Sequence, residues 1–94
     1  MSHHTIWKFD VPIEDFSEIK MSKGARILSV ADQGEEPNIR LWALVDPEAE
    51  TESKFFRVIG TGNPIYGDTE TLKFIGTVVV EQLGLVWHVF GVIE

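Results

Sequence analysis

The sequence predicts an all-β domain of six or seven short antiparallel strands, arranged as a small sandwich or a partly open barrel. Apolar runs are short, turn-forming residues separate them, and no long run shows convincing helical spacing, so at most one or two short helical turns are expected. The connections are too short for parallel crossovers, which favours antiparallel pairing. With 94 residues, 44% hydrophobic and 24% charged, the chain fits a single domain over residues 1–94.

The first strand is predicted from strict alternation between residues 5 and 11. Trp7, Phe9 and Val11 share one face, which is typical of a half-buried strand. After Pro12, residues 13–21 fit either an irregular strand or one or two helical turns. We favour the strand, because only nine residues precede the next turn signal.

Five further strands follow from the same alternation. They are predicted over residues 25–31, 39–45, 54–59, 72–80 and 85–93. The first two flank a polar loop and are expected to form an antiparallel hairpin, and the last two form a closing pair. The run 39–45 has one wholly apolar face and a largely apolar second face, which indicates a central strand.

The composition excludes several classes of protein. The net charge of −7 argues against direct nucleic-acid binding, which depends on clustered Lys and Arg. The absence of cysteine excludes a disulfide framework and a thiol nucleophile. Neither a membrane span nor a signal peptide is apparent, so a cytoplasmic location without membrane binding is expected, with residues 1–4 as a flexible terminus.

The segment 60–68 is the longest glycine-rich loop, and its start resembles a nucleotide-binding loop. Ile65 stands where a dinucleotide fingerprint needs glycine, and no lysine follows until Lys73, so a wide turn is the favoured interpretation. The loop nevertheless combines polar groups with an aromatic ring. Its candidate ligand-binding residues are Gly60, Gly62, Asn63, Tyr66 and Asp68.

Groups suited to catalysis are few. His88 lies among apolar neighbours, which predicts a buried neutral histidine bonded to a carbonyl or a side chain. The carboxylate pairs Glu14–Asp15 and Glu35–Glu36 fall in predicted turns, where a raised pKa is hard to produce without burial. We therefore predict no catalytic residue, no metal site, no cofactor and no enzymatic activity.

Two features favour contact with other proteins. The run 46–52 carries four acidic residues and no base, so Glu48, Glu50 and Glu52 are candidates for attracting a basic partner. The last strand is apolar on both faces, and Trp87 and Val89 are candidate contact residues there. Either a neighbouring element or a second copy of the chain, as in a homodimer, would cover this strand.

Several segments carry a resemblance to a known family. They are Ile6-Trp7-Lys8-Phe9, Gly24-Ala25-Arg26-Ile27-Leu28-Ser29-Val30, Leu41-Trp42-Ala43-Leu44-Val45-Asp46-Pro47, Gly60-Thr61-Gly62-Asn63-Pro64-Ile65 and His88-Val89-Phe90. Through them the whole chain resembles a family of small uncharacterised proteins found in bacteriophages and bacterial genomes. The resemblance implies a phage or prophage origin and an accessory role. It implies no biochemical activity for this chain.

Taken together, these features predict a small acidic interaction protein that binds a host or phage protein and modulates it without catalysis, in the host cytoplasm if phage encoded. One alternative is a protein that sequesters a small molecule or nucleotide with the loop 60–68. A further alternative is a minor component of a virion or an assembly.

Overall fold

The structure, a computed structural model, describes residues 3–33 and 38–93, and these form seven β-strands in two antiparallel sheets. The strands are β1 (Thr5–Val11), β2 (Ser17–Ser22), β3 (Arg26–Asp32), β4 (Ile39–Val45), β5 (Thr51–Gly60), β6 (Leu72–Val80) and β7 (Leu85–Val92). Two 3₁₀ turns of three residues each, Thr69–Thr71 and Glu81–Leu83, flank β6. The predicted all-β class is confirmed.

The two sheets face each other as an open sandwich. The three-stranded sheet has the order β1-β4-β3, and the four-stranded sheet has the order β2-β5-β7-β6. At one corner β3 lies so close to β6 that a Cβ atom on Gly76 would stand 2.8 Å from Cγ2 of Val30. A side chain at position 76 would therefore force Val30 to move where the two edge strands meet.

The core lies between the sheets and depends on the alternation of β4. Ile39, Leu41, Ala43 and Val45 have no exposed surface. Opposite them, the four-stranded sheet contributes Met21, Phe56, Val58, Val78, Val80 and Val89. Each large apolar side chain buried in this way stabilises the fold by about 1.5–3 kcal/mol. The prediction of β4 as a central strand is confirmed, since it pairs with both β1 and β3.

Two boundaries differ from the prediction. The ambiguous segment is a strand only over β2, and residues 13–16 form bends. Strand β5 begins at Thr51 rather than at residue 54, because β2 pairs along its full length with it, from Ser17 opposite Phe56 to Ser22 opposite Thr51. Glu52 is consequently a strand residue and not part of a solvated connection.

Two further predictions concern residues that lie partly outside the described segments. The flexible terminus was predicted over residues 1–4, of which the first two lie outside the described residues. The polar loop between β3 and β4 also lies largely outside them, but the two strands pair antiparallel as predicted. In the described part of the chain, no helix is long and apolar enough to cross a membrane.

Candidate functional site

On its outer face, turned away from the core, the four-stranded sheet carries an apolar patch that is interrupted by Arg57, Thr77 and His88. We call it the aromatic face, and its residues are Phe16, Phe55, Phe74, Phe90, Val79 and Val86. The alternation of the strands explains it, because the neighbours Phe56, Val78 and Val89 point into the core. Three side chains remain more than half exposed: Phe16 at 55%, Phe74 at 56% and Val79 at 52%.

Two ring pairs order this surface. Phe16 stacks on Phe55 with ring centroids 5.6 Å apart and an interplanar angle of 28°. Phe74 meets Phe90 edge to face, also at 5.6 Å, because the two residues are opposite each other in the β6–β7 register. Rings held in this way lose less conformational freedom when a partner covers them.

Acidic residues surround the aromatic face. Glu18 lies on β2 beside Phe55, while Glu70 and Glu81 lie just before and just after β6, and all three are exposed. A hydrogen bond donated by the Ser53 hydroxyl, aided by Lys20 3.5 Å away, holds the pKa of Glu18 below its ordinary value. An apolar centre with a charged rim is the usual anatomy of a protein–protein interface.

The structure places the two predicted contact residues of the last strand on the opposite face. Val89 is fully buried against the second sheet, and Trp87 packs on the same core. Val89 therefore presents no surface to a partner, whereas Trp87 is only half-buried. The outward residues Val86 and Phe90 were missed, although the same alternation assigns them to the other face.

The acidic run divides into exposed and structural members. Glu48 and Glu50 are exposed on the β4–β5 connection. Glu52 instead accepts a hydrogen bond from the backbone N–H of Gly24 at 3.2 Å and pairs with Lys54 at 3.5 Å. The Gly24 bond is the main reason that the pKa of Glu52 lies below its ordinary value. Glu48 and Glu50 therefore present their charges to solvent, whereas Glu52 is partly engaged within the fold.

The glycine-rich loop is a turn with its own internal contacts. Gly62 and Gly67 have φ angles of 89° and 93°, which side-chain-bearing residues rarely adopt. Gly60 ends β5, where a Cβ atom would lie 2.8 Å from Nδ2 of Asn63 and 3.1 Å from the Trp87 ring. Asp68 accepts the Glu70 N–H at 2.9 Å, so its carboxylate caps the 3₁₀ turn that follows the loop.

A buried arginine ties this loop to the β1–β2 connection. The Arg57 side chain is only 10% exposed, and its Nη2 atom lies 3.0 and 3.2 Å from the two carboxylate oxygens of Asp15. Its Nη1 atom donates to the Tyr66 carbonyl at 2.7 Å. We call this arrangement the Arg57 clamp. Asp15 belongs to the first predicted carboxylate pair, and the second pair, Glu35–Glu36, lies outside the described residues.

A cavity of about 360 Å³ lies beneath the loop. Its walls are Ile13, Glu14, Asp15, Val58, Ile59, Asn63, Pro64, Tyr66 and Trp87. Of the predicted ligand residues, Asn63 and Tyr66 therefore line it, and Gly60, Gly62 and Asp68 do not. The indole N–H of Trp87 is buried and has no hydrogen-bond partner among the described residues. The two carboxylates in the wall disfavour a phosphate-bearing ligand here.

His88 lies on the outer face of β7 between two threonines. Its Nε2 atom is 2.7 Å from the Thr61 hydroxyl, and its Nδ1 atom is 3.1 Å from the Thr77 hydroxyl. The predicted side-chain bonding is present, but the residue is half-buried rather than buried. Within the described residues, no group of three or more His, Asp or Glu side chains is placed to hold a metal ion.

Comparison with protein families gives one match that spans nearly the whole chain. The family model is described as Domain of unknown function (DUF7352), and it matches residues 2–94. No curated protein and no solved structure matches the chain. The chain belongs to the DUF7352 family.

Proposed function

We propose that this chain is a non-catalytic interaction protein, which binds a partner protein through the aromatic face and thereby modulates it. The observation that carries the proposal is the exposure of Phe16, Phe74 and Val79 on one face of one sheet. An exposed apolar patch rimmed by polar residues is typical of a protein-binding surface. The proposal includes a phage or prophage origin and a host or phage protein as the partner in the host cytoplasm, which rests on the sequence resemblance.

The shape of the surface favours a protein over a small molecule. Small ligands are usually bound in concave pockets, whereas the aromatic face is the outer side of a sheet. The pairs Phe16–Phe55 and Phe74–Phe90 resemble the aromatic anchors that contribute most of the binding energy at protein interfaces. A partner with a complementary apolar patch would cover both pairs at once.

The charge around the surface favours a basic partner. Glu18, Glu70 and Glu81 surround the aromatic face, and the whole chain carries a net charge of −7. Such a field accelerates association with a positively charged protein and weakens as salt is added. Glu48 and Glu50 add to this field from the β4–β5 connection.

The alternatives have less support. Sequestering a nucleotide with the loop 60–68 is disfavoured, because Asp68 caps the following turn and Arg57 is already bound by Asp15. A virion or assembly component would use the same aromatic face, and copurification with assembled particles would identify that role.

The proposal is tested by affinity purification from lysate of the organism that encodes the chain, using the wild type and two variants. Val79→Asp places a charge in the aromatic face, while Ile6→Asp places the same charge on β1 of the other sheet, where Ile6 is similarly exposed at 55%. We expect a stoichiometric partner with the wild type and with Ile6→Asp, and its loss with Val79→Asp.

Retention of the partner by Val79→Asp, or its loss with both variants, would contradict the proposal. Sedimentation velocity of the purified wild type provides a further check. If the wild type is a dimer, and Val79→Asp abolishes the dimer while Ile6→Asp preserves it, the aromatic face binds a second copy of the chain. That result would contradict the proposal of a different partner protein.

A further inference from the structure

A larger cavity opens between the two sheets at the end of the sandwich opposite the glycine-rich loop. Its volume is about 490 Å³. We call it the mouth cavity, and its apolar walls include Ile27, Phe56, Ile75 and Val92. A cavity of this volume lies within the usual range of about 300–1,000 Å³ for small-molecule sites.

The mouth cavity is positively charged in a chain that is negative overall. Arg26 on β3, Lys54 on β5 and Lys73 on β6 all line it, which is three of the eight basic residues of the chain. Against these three cations, the described lining contains one carboxylate, that of Glu52, which is already bonded to Gly24 and Lys54. Among the described residues, no salt bridge involves Arg26 or Lys73.

A glycine keeps the inner wall of the cavity open. Gly91 stands opposite Phe56 on β5 and opposite Lys73 on β6, so any side chain there would share the core-facing side with Phe56. A Cβ atom at position 91 would stand 3.6 Å from Cδ1 of Ile75, an ordinary contact distance. The backbone therefore tolerates a side chain at this position, and the glycine leaves that space to the cavity.

We propose that the mouth cavity binds a small amphipathic carboxylate, with its apolar body against Ile27 and Ile75 and its anionic group held by Arg26 and Lys73. Guanidinium and ammonium groups beside the apolar part of a cavity are the complement of this ligand chemistry. The site is separate from the loop 60–68 and opens on the inner side of the four-stranded sheet, although Phe55 and Phe74 of the aromatic face also border it. It would give the chain a second binding activity.

The ligand class is tested by titrating the ¹⁵N-labelled protein with octanoate and, in parallel, with 1-octanol, which has the same chain length and no charge. Octanoate is expected to shift the amide resonances of residues 26–28, 73–75 and 91–93 in a saturable manner. Octanol should bind at least about threefold more weakly, because it cannot pair with the cations. Equal affinities would overturn the proposal.

Two pairs of variants locate the site. Lys73→Gln should weaken octanoate binding about two- to fivefold, whereas Lys8→Gln, which removes the same charge from the outer face of β1, should leave it unchanged. Gly91→Leu should abolish the shifts by filling the cavity, and Gly91→Ala should reduce binding less. If Lys73→Gln and Lys8→Gln weakened octanoate binding equally, the result would contradict the proposed site. This comparison does not depend on whether Gly91→Leu folds.

Discussion

The basic residues at the two ends of the sandwich differ in burial and in pairing. At the loop end, Arg57 is buried and its guanidinium is bound by Asp15 and by the Tyr66 carbonyl. At the mouth end, Arg26 and Lys73 are exposed beside an open cavity. The loop above Arg57 is held by contacts within the fold, whereas no salt bridge among the described residues involves Arg26 or Lys73.

The largest difference between the ends is expected for replacement of their arginines. Arg57→Ala removes a buried cation, its hydrogen bonds and its packing, and should lower the free energy of unfolding by about 2–4 kcal/mol. Arg26→Ala, at the exposed mouth, should change it by less than about 0.5 kcal/mol. Urea denaturation followed by circular dichroism measures both. Similar losses for the two variants would show that the Arg57 clamp is not a stabilising contact.

The two strand glycines should respond with opposite signs. Gly60→Ala brings a Cβ atom to 2.8 Å from Asn63 and 3.1 Å from Trp87, and should destabilise the fold by about 1 kcal/mol or more. Gly91→Ala meets only an ordinary contact at 3.6 Å, and should stabilise the fold by about 0.5–1 kcal/mol, because alanine restricts the unfolded chain. Thermal unfolding of the two variants measures the contrast, and a stabilising Gly60→Ala would contradict the close packing of the loop.

The strands could be predicted from the sequence, whereas the mouth cavity and the Arg57 clamp could not. Alternation of apolar residues predicted β1, β4, β6 and β7 almost to their ends, because a strand buried on one face must repeat every second residue. The same alternation places Val86 and Phe90 on the opposite face of β7 from Val89, and this is the aromatic face. The apolar character of both faces of β7 favours Trp87 and Val89 equally, and alternation alone does not say which face is outward.

The mouth cavity was beyond sequence reasoning for a topological reason. Arg26, Lys54 and Lys73 are far apart in the chain, and they line one cavity because β3 lies against the edge strand β6 of the four-stranded sheet. The Arg57 clamp is similar, because Asp15 and Tyr66 lie on different connections. Residue spacing along the chain does not predict such long-range groupings. The ligand hypothesis for the glycine-rich loop rested on its local pattern alone.

The smallest expected effect concerns pH at the mouth end. Because the Gly24 N–H and Lys54 lower the folded-state pKa of Glu52, ionised Glu52 contributes stability above its ordinary pKa of 4.5, and this contribution is lost as the pH falls through the lower folded value. Glu52→Gln should therefore show a smaller loss of stability than the wild type when the pH is lowered from neutral to below 4.5. Urea midpoints at both pH values measure it, with Glu50→Gln as the exposed control. Parallel losses in all three proteins would contradict the assignment.

We propose that a partner protein contacts the aromatic face and not the glycine-rich loop. The most direct measurement is the amide spectrum of the ¹⁵N-labelled chain with and without its purified partner. We expect binding to shift the resonances of residues 74–79 and 86–90 and to leave those of residues 62–67 unchanged. Shifts confined to the loop, with the strands β6 and β7 unaffected, would contradict it.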